Sequence, residues 1–113
     1  MKTIISEVQK LEKNNMICRV DIDTRFMDEV SFDKGHVKFW VYEDEGDIVL
    51  EVSETKWKKF GGGILGTNVY SEELEYIKTK QASMIMKTIN KIVNDKSLQK
   101  ERCEFLRERA ERV

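Results

Sequence analysis

Proline is absent from this 113-residue chain, histidine occurs once, cysteine twice, and neither sign of charge prevails, with 20 Lys and Arg against 21 Asp and Glu. Each scarcity excludes a class of chemistry. Cys18 and Cys103 are too few and too far apart for a disulfide framework, and without a CxxC there is neither a zinc ribbon nor a dithiol redox motif. Two reduced thiols are expected. Nucleophile-and-base catalysis needs a Ser, Cys or Thr with an imidazole in reach, and His36, the only histidine, falls on the outward phase of an alternating run, which predicts a surface residue. No segment approaches the roughly 18 apolar residues of a membrane span. Met1 to Leu11 carries acidic and polar residues where a signal peptide needs an apolar stretch. A cytoplasmic chain with no membrane attachment is therefore expected. Glycine is sparse as well, and four of the six lie between positions 61 and 66.

Charge is what the chain has in abundance. Charged residues make up 36% of it, against roughly 25% in an average globular protein, while the 40% apolar content is enough to fold. At 13.3 kDa the chain can bury one core and not two. Residues 1–113 are thus expected to form a single domain, with a helix and acidic sheet in 1–54, a basic Gly-rich loop in 55–70 and C-terminal helices in 71–113.

Ile4, Val8 and Leu11 share one helical face with Ile5 beside them, and Thr3 stands where an N-cap would. Met16, Cys18, Val20 and Ile22 then alternate with Ile17, Arg19, Asp21 and Asp23, the period of a strand with one wet face. A second alternation sets Val37, Phe39 and Val41 against His36, Lys38, Trp40 and Tyr42. A third sets Ile48, Leu50 and Val52 against Asp47, Val49, Glu51 and Ser53, and Glu43 to Asp47 joins the two as a hairpin loop. Thr24 to Gly35, with Phe26, Val30 and Phe32, leaves a short extra strand open. Ser71 with Glu72 and Glu73 reads as a helix start, continued by Leu74, Ile77, Met84, Ile85, Ile89, Ile92 and Val93. Asp95-Lys96-Ser97 reads as a break before a last helix lined by Leu98, Phe105, Leu106 and Ala110. The expected fold is α+β, a two-layer αβββαα domain whose antiparallel three-stranded sheet has helices on one face.

The charge is segregated. Residues 21–54 hold three basic against eleven acidic side chains, a net of −8, whereas 1–20 carry +2 and 55–113 carry +5. Because Asp21, Asp23 and Glu51 fall on outward strand phases, the sheet half should present a negative field that attracts basic proteins and repels nucleic acid. Trp40 and Tyr42 lie among these carboxylates, and aromatics ringed by charge are what interface hot spots look like. A solubilising acidic face is the plainer alternative.

The run Ile4-Ile5-Ser6-Glu7-Val8 to Lys13-Asn14, a strand, and the hairpin Glu43-Asp44-Glu45-Gly46-Asp47 to Val49-Leu50-Glu51-Val52-Ser53-Glu54 resemble the small phage-encoded anti-CRISPR proteins that inhibit Cas9. The likeness covers residues 3–54 and, beyond them, only the order of the helices. It implies an αβββα or αβββαα domain whose acidic hairpin and loops block the nuclease's PAM-reading cleft, with Asp21, Asp23, Glu43, Asp44, Glu45 and Asp47 as phosphate-mimicking contacts. The basic Gly-rich loop and the positive C-terminal helices depart from that pattern.

The opposite expectation is nucleic-acid binding. Lys56, Lys58 and Lys59 interleave with Trp57 and Phe60, a composition that pairs phosphates and stacks bases, and the element order is similar to a double-stranded-RNA-binding domain. In that family the lysines follow the glycines and open the last helix. Here Lys58-Lys59 precede Gly61-Gly62-Gly63, and Glu72-Glu73 would repel phosphate. No Gly-Lys-Ser/Thr follows the glycines, so the loop is not a phosphate loop. Asp44-Glu45-Gly46-Asp47 is too short for an EF-hand.

The sequence thus favours a non-catalytic inhibitor or binding module, without metal or cofactor, that occludes a basic nucleic-acid-binding surface of a partner protein such as a Cas9-type nuclease. Asp21, Asp23, Trp40, Tyr42, Glu43, Asp44, Glu45 and Asp47 are its expected contacts, and a homodimer through the C-terminal helices is a further expectation. The alternative is a small nucleic-acid-binding protein using Lys56, Trp57, Lys58, Lys59 and Phe60 with the basic C-terminal helices.

Overall fold

The computed structural model describes residues 1–59 and 67–96. In chain order they form α1 (Lys2–Lys13), β1 (Cys18–Asp23), β2 (Glu29–Lys34), β3 (Val37–Asp44), β4 (Asp47–Lys59), β5 (Thr67–Thr79) and α2 (Ala82–Val93). The five strands make one sheet in the order β1-β2-β3-β4-β5, each antiparallel to its neighbour. The α+β class holds, but the sheet has five strands rather than three, and αβββαα is replaced by αβββββα.

Two expectations fail for identifiable reasons. The segment from Ser71 is not a helix start but the middle of β5. A bulge falls between the Val52↔Glu75 and Ser53↔Glu73 pairs, leaving Leu74 as the extra residue. The inserted residue breaks the period-2 pattern and leaves Leu74 and Ile77 three apart, a helix-like spacing. Nor are residues 55–70 a loop throughout, because β4 runs to Lys59 and β5 begins at Thr67. The apolar alternation stops at Val52 because the next two inward positions of β4 are the charged Glu54 and Lys56. The segment 24–35, left open in the sequence, contains β2. The final helix expected from Ser97, with Leu98, Phe105, Leu106 and Ala110, lies outside the described residues.

Local chemistry fixes the turns. α1 buries Ile4 and Val8 and ends in a Schellman arrangement, in which Met16 N–H bonds the Leu11 carbonyl at 2.9 Å and Asn15 N–H bonds that of Glu12 at 3.0 Å. Asn15 takes the left-handed conformation, φ 59, that asparagine tolerates better than most residues. No side chain caps its N-terminus, where Met1 rather than Thr3 is the N-cap. Between Asp44 and Asp47 only Glu45 and Gly46 remain, with φ of 50 and 84, the two positive values of a type I′ turn whose twist suits a hairpin.

Both helices pack on one face of the sheet. Val30, Phe32, Val37, Phe39, Val41, Ile48, Leu50 and Val52 meet Ile4 and Val8 of α1 and Ile85, Met86, Ile89 and Val93 of α2 in one buried cluster. Phe32 and Phe39, register partners across β2 and β3, stack with centroids 4.7 Å apart and planes 10° from parallel. Lys34 Nζ donates to the Val93 carbonyl at the end of α2, placing a cation where the helix dipole favours one. No helix among the described residues is long and apolar enough to cross a membrane.

Candidate interaction face

The opposite face of the sheet carries no helix among the described residues. Its outward side chains come from the alternate strand positions, and the register aligns them in rows. Asp21, Ser31, Trp40, Glu51 and Tyr76 form one row, Asp23, Glu29, Tyr42, Val49 and Lys78 the next, and Asp33, Lys38, Ser53 and Glu73 a third. An aromatic centre thereby stands among six carboxylates, with Lys38 and Lys78 beside them. Trp40 and Tyr76 are about half exposed, and the Trp40 and Tyr42 rings touch with centroids 4.3 Å apart, tilted 38°. These two meet because residues i and i+2 of a strand share a face.

The acidic groups hold the aromatics in place. Trp40 Nε1–H donates to Glu29 Oε2 at 3.2 Å. Burial pushes the Tyr42 phenol above its usual value of 10, and the charge and hydrogen bond of Glu51 push it the same way, so Tyr42 is held neutral against its neighbours. Val49, its register partner on β4, is fully buried although it lies on this face and outside the core cluster. Beside Trp40 the surface dips into a concavity of about 650 Å³, lined in part by Ser31, Asp33, Lys38, Trp40, Glu51 and Glu73.

The sheet's edges are poor docking sites. β1 is disrupted between Cys18 and Asp21, with Arg19 at φ 55, and β5 carries the Leu74 bulge among Glu72, Glu73 and Glu75. Bulges and charge are how natural sheets prevent strand addition at an edge.

The structure sorts the expected contact residues. Asp21, Asp23, Trp40 and Tyr42 share the open face. Asp44 keeps their strand phase but bonds Lys78 Nζ at 3.2 Å, and raises that amine's pKa. Glu43 has the phase of Val41 and pairs with Ile48, so it belongs to the helix side. Glu45 occupies the exposed turn, and Asp47 opens β4. Asp23 is gripped by Arg25, whose Nε and Nη2 donate to its two oxygens at 3.1 and 2.9 Å. With a further bond from the Arg25 backbone N–H, this brings the carboxyl down to about 2.

No known protein family, curated protein or solved structure matches this chain.

The basic stretch fares differently. Lys56 Nζ lies 2.7 Å from Glu72 and 3.9 Å from Glu54, and the Glu72 bond raises its pKa, so this cation is already neutralised within the chain. Trp57, Lys58 and Lys59 belong to the backbone of β4, and Phe60 lies outside the described residues. His36 is not a surface residue. It sits in the tight β2–β3 turn after Gly35, φ 65, buried with its Nε2 3.0 Å from Glu54 Oε1. Among the described residues no three His, Cys, Asp or Glu side chains are grouped to hold a metal ion.

Glu29 and Tyr76 belong to this face and were not among the expected contacts. The period of β2 announces Glu29 once Val30 and Phe32 are taken as inward. Tyr76 is hidden because the bulge shifts the phase of β5.

Proposed function

We propose that this chain is a non-catalytic binding module that docks its open sheet face onto a cationic surface of a partner protein and so occludes it. The observation that carries this is the face that no helix covers among the described residues, on which Trp40, Tyr42 and Tyr76 stand exposed or half-buried among predominantly acidic neighbours. A purely solubilising face has no use for an indole at its centre. Carboxylates speed a cationic partner's approach through long-range attraction, and burial of the aromatics slows its departure. Electrostatic steering weakens as salt shortens the Debye length.

The sharpest form of this proposal, supported by the resemblance of residues 3–54 to anti-CRISPR proteins, is a phage-encoded cytoplasmic inhibitor that covers the DNA-reading cleft of a Cas9-type nuclease. The test is a pull-down and gel shift at moderate salt, with the chain offered to such a nuclease with and without guide RNA, and to bare duplex and single-stranded DNA and RNA. Retention on the nuclease with loss of its DNA binding supports the inhibitor. Shifts of bare nucleic acid would instead transfer the function to Lys56, Trp57, Lys58, Lys59 and Phe60 with the basic C-terminal segment. Binding to neither would remove both targets.

A further inference from the structure

The loop between β1 and β2, residues 24–28, holds an apolar tip that the fold does not use. Phe26 is 95% exposed and Met27 49%, and neither joins the core cluster. Both feet of the loop are nevertheless tied. Asp23 Oδ1 accepts the Arg25 backbone N–H at 3.0 Å in addition to the bidentate guanidinium grip. At the other foot Glu43 N–H donates to the Asp28 carbonyl at 3.2 Å. The two tip residues are therefore presented from a stapled loop, which lowers the ordering cost of inserting them into a partner.

The loop adjoins the open face, because Glu29, the first residue of β2, holds the Trp40 indole. Its surroundings are acidic. Asp21, Asp28 and Glu29 flank it in sequence, Arg25 beside Phe26 is paired with Asp23, and the Glu45-Gly46 turn lies at the same end of the sheet. A large apolar side chain buried by a partner supplies affinity, and the encircling charge selects which partner. We infer that Phe26 and Met27 are the apolar anchor of this docking surface, and that the segment they receive combines apolar or aromatic residues with flanking Arg or Lys. This rests on the function proposed above and specifies the partner's chemistry. The carboxylates set the tip against an anionic lipid surface.

The test is selection of a random 12-residue peptide library displayed on phage, run on the wild-type chain and on Phe26→Ala. Since Phe26 is 95% exposed, the variant should unfold at the wild-type midpoint. Peptides combining two or more Arg or Lys with apolar residues should be enriched on the wild-type chain and bind Phe26→Ala about tenfold or more weakly. Enriched peptides that are basic only, and bind both proteins alike, would overturn the anchor and leave acidic docking standing. A pool without basic peptides, or no enrichment, would overturn both. Phe26-dependent sedimentation with vesicles of phosphatidylcholine and phosphatidylglycerol would also overturn the inference, because the tip would then be a lipid contact.

Discussion

On the helix-covered face of the sheet, Val30, Phe32, Val37, Phe39, Val41, Leu50 and Val52 are each at most 2% exposed, whereas one position along the same strands Trp40 is 44% exposed and stands among carboxylates. The two faces share a backbone and a register but not a composition. Aliphatic and phenyl groups on one side bring the apolar burial that stabilises the fold. On the other, indole, phenol and carboxylate groups hold one another in fixed positions while staying in contact with water. Stability and binding should therefore be separable by substituting residues one apart.

The largest effect is expected on the covered face. Phe39→Ala removes a fully buried ring stacked on Phe32 and should cost about 3–5 kcal/mol in urea unfolding. A loss below about 1 kcal/mol would mean that this face is not the core. Next comes the polar pair at the sheet's margin. Glu54→Ala removes the carboxylate facing the buried His36 imidazole and should cost about 1–3 kcal/mol. Glu54→Gln, which keeps a hydrogen-bonding group there, should cost less.

Smaller effects test the open face without a partner. Absorbance titration should show a phenol component ionising above 10, and Tyr42→Phe should remove that component. Glu51→Gln should move it to lower pH, because it deletes a charge that opposes the phenolate. The sign follows from linkage. A phenol raised in the folded state contributes stability below its unfolded value near 10, and that contribution is lost as pH climbs through the higher folded value. Asp23 behaves oppositely. Its carboxyl, held at about 2 instead of 3.8, contributes above the unfolded value and loses that contribution as pH falls through about 2. Arg25→Ala should return the Asp23 midpoint toward 3.8 in a carboxyl chemical-shift titration.

The parts of this comparison that sequence reveals are those with intact periodicity. The phases of Val37-Phe39-Val41 and Ile48-Leu50-Val52 identify the covered face directly, and with it the outward position of Trp40 and Tyr42. Where the physics breaks the period, the pattern misleads. The Leu74 bulge makes an edge strand look helical, and a buried Glu54 makes the inner face of β4 look like the end of a strand. His36 looks like a surface residue because its carboxylate partner is 18 positions away. By composition Glu43 groups with the other hairpin acids, and only strand phase separates the faces. The exposure of Phe26 is not legible in the sequence, because an isolated phenylalanine outside any periodic run does not reveal whether it is buried.

The most direct test is a paired measurement on Trp40→Ala/Glu51→Lys, comparing its urea midpoint with its association with a guide-loaded Cas9-type nuclease at two salt concentrations. If the open face serves binding alone, the midpoint should shift by about 1 kcal/mol or less, while the association rate falls and its salt dependence weakens. A stability loss as large as that of Phe39→Ala, or wild-type association with its salt dependence intact, would contradict the division of the sheet into a face for folding and a face for docking.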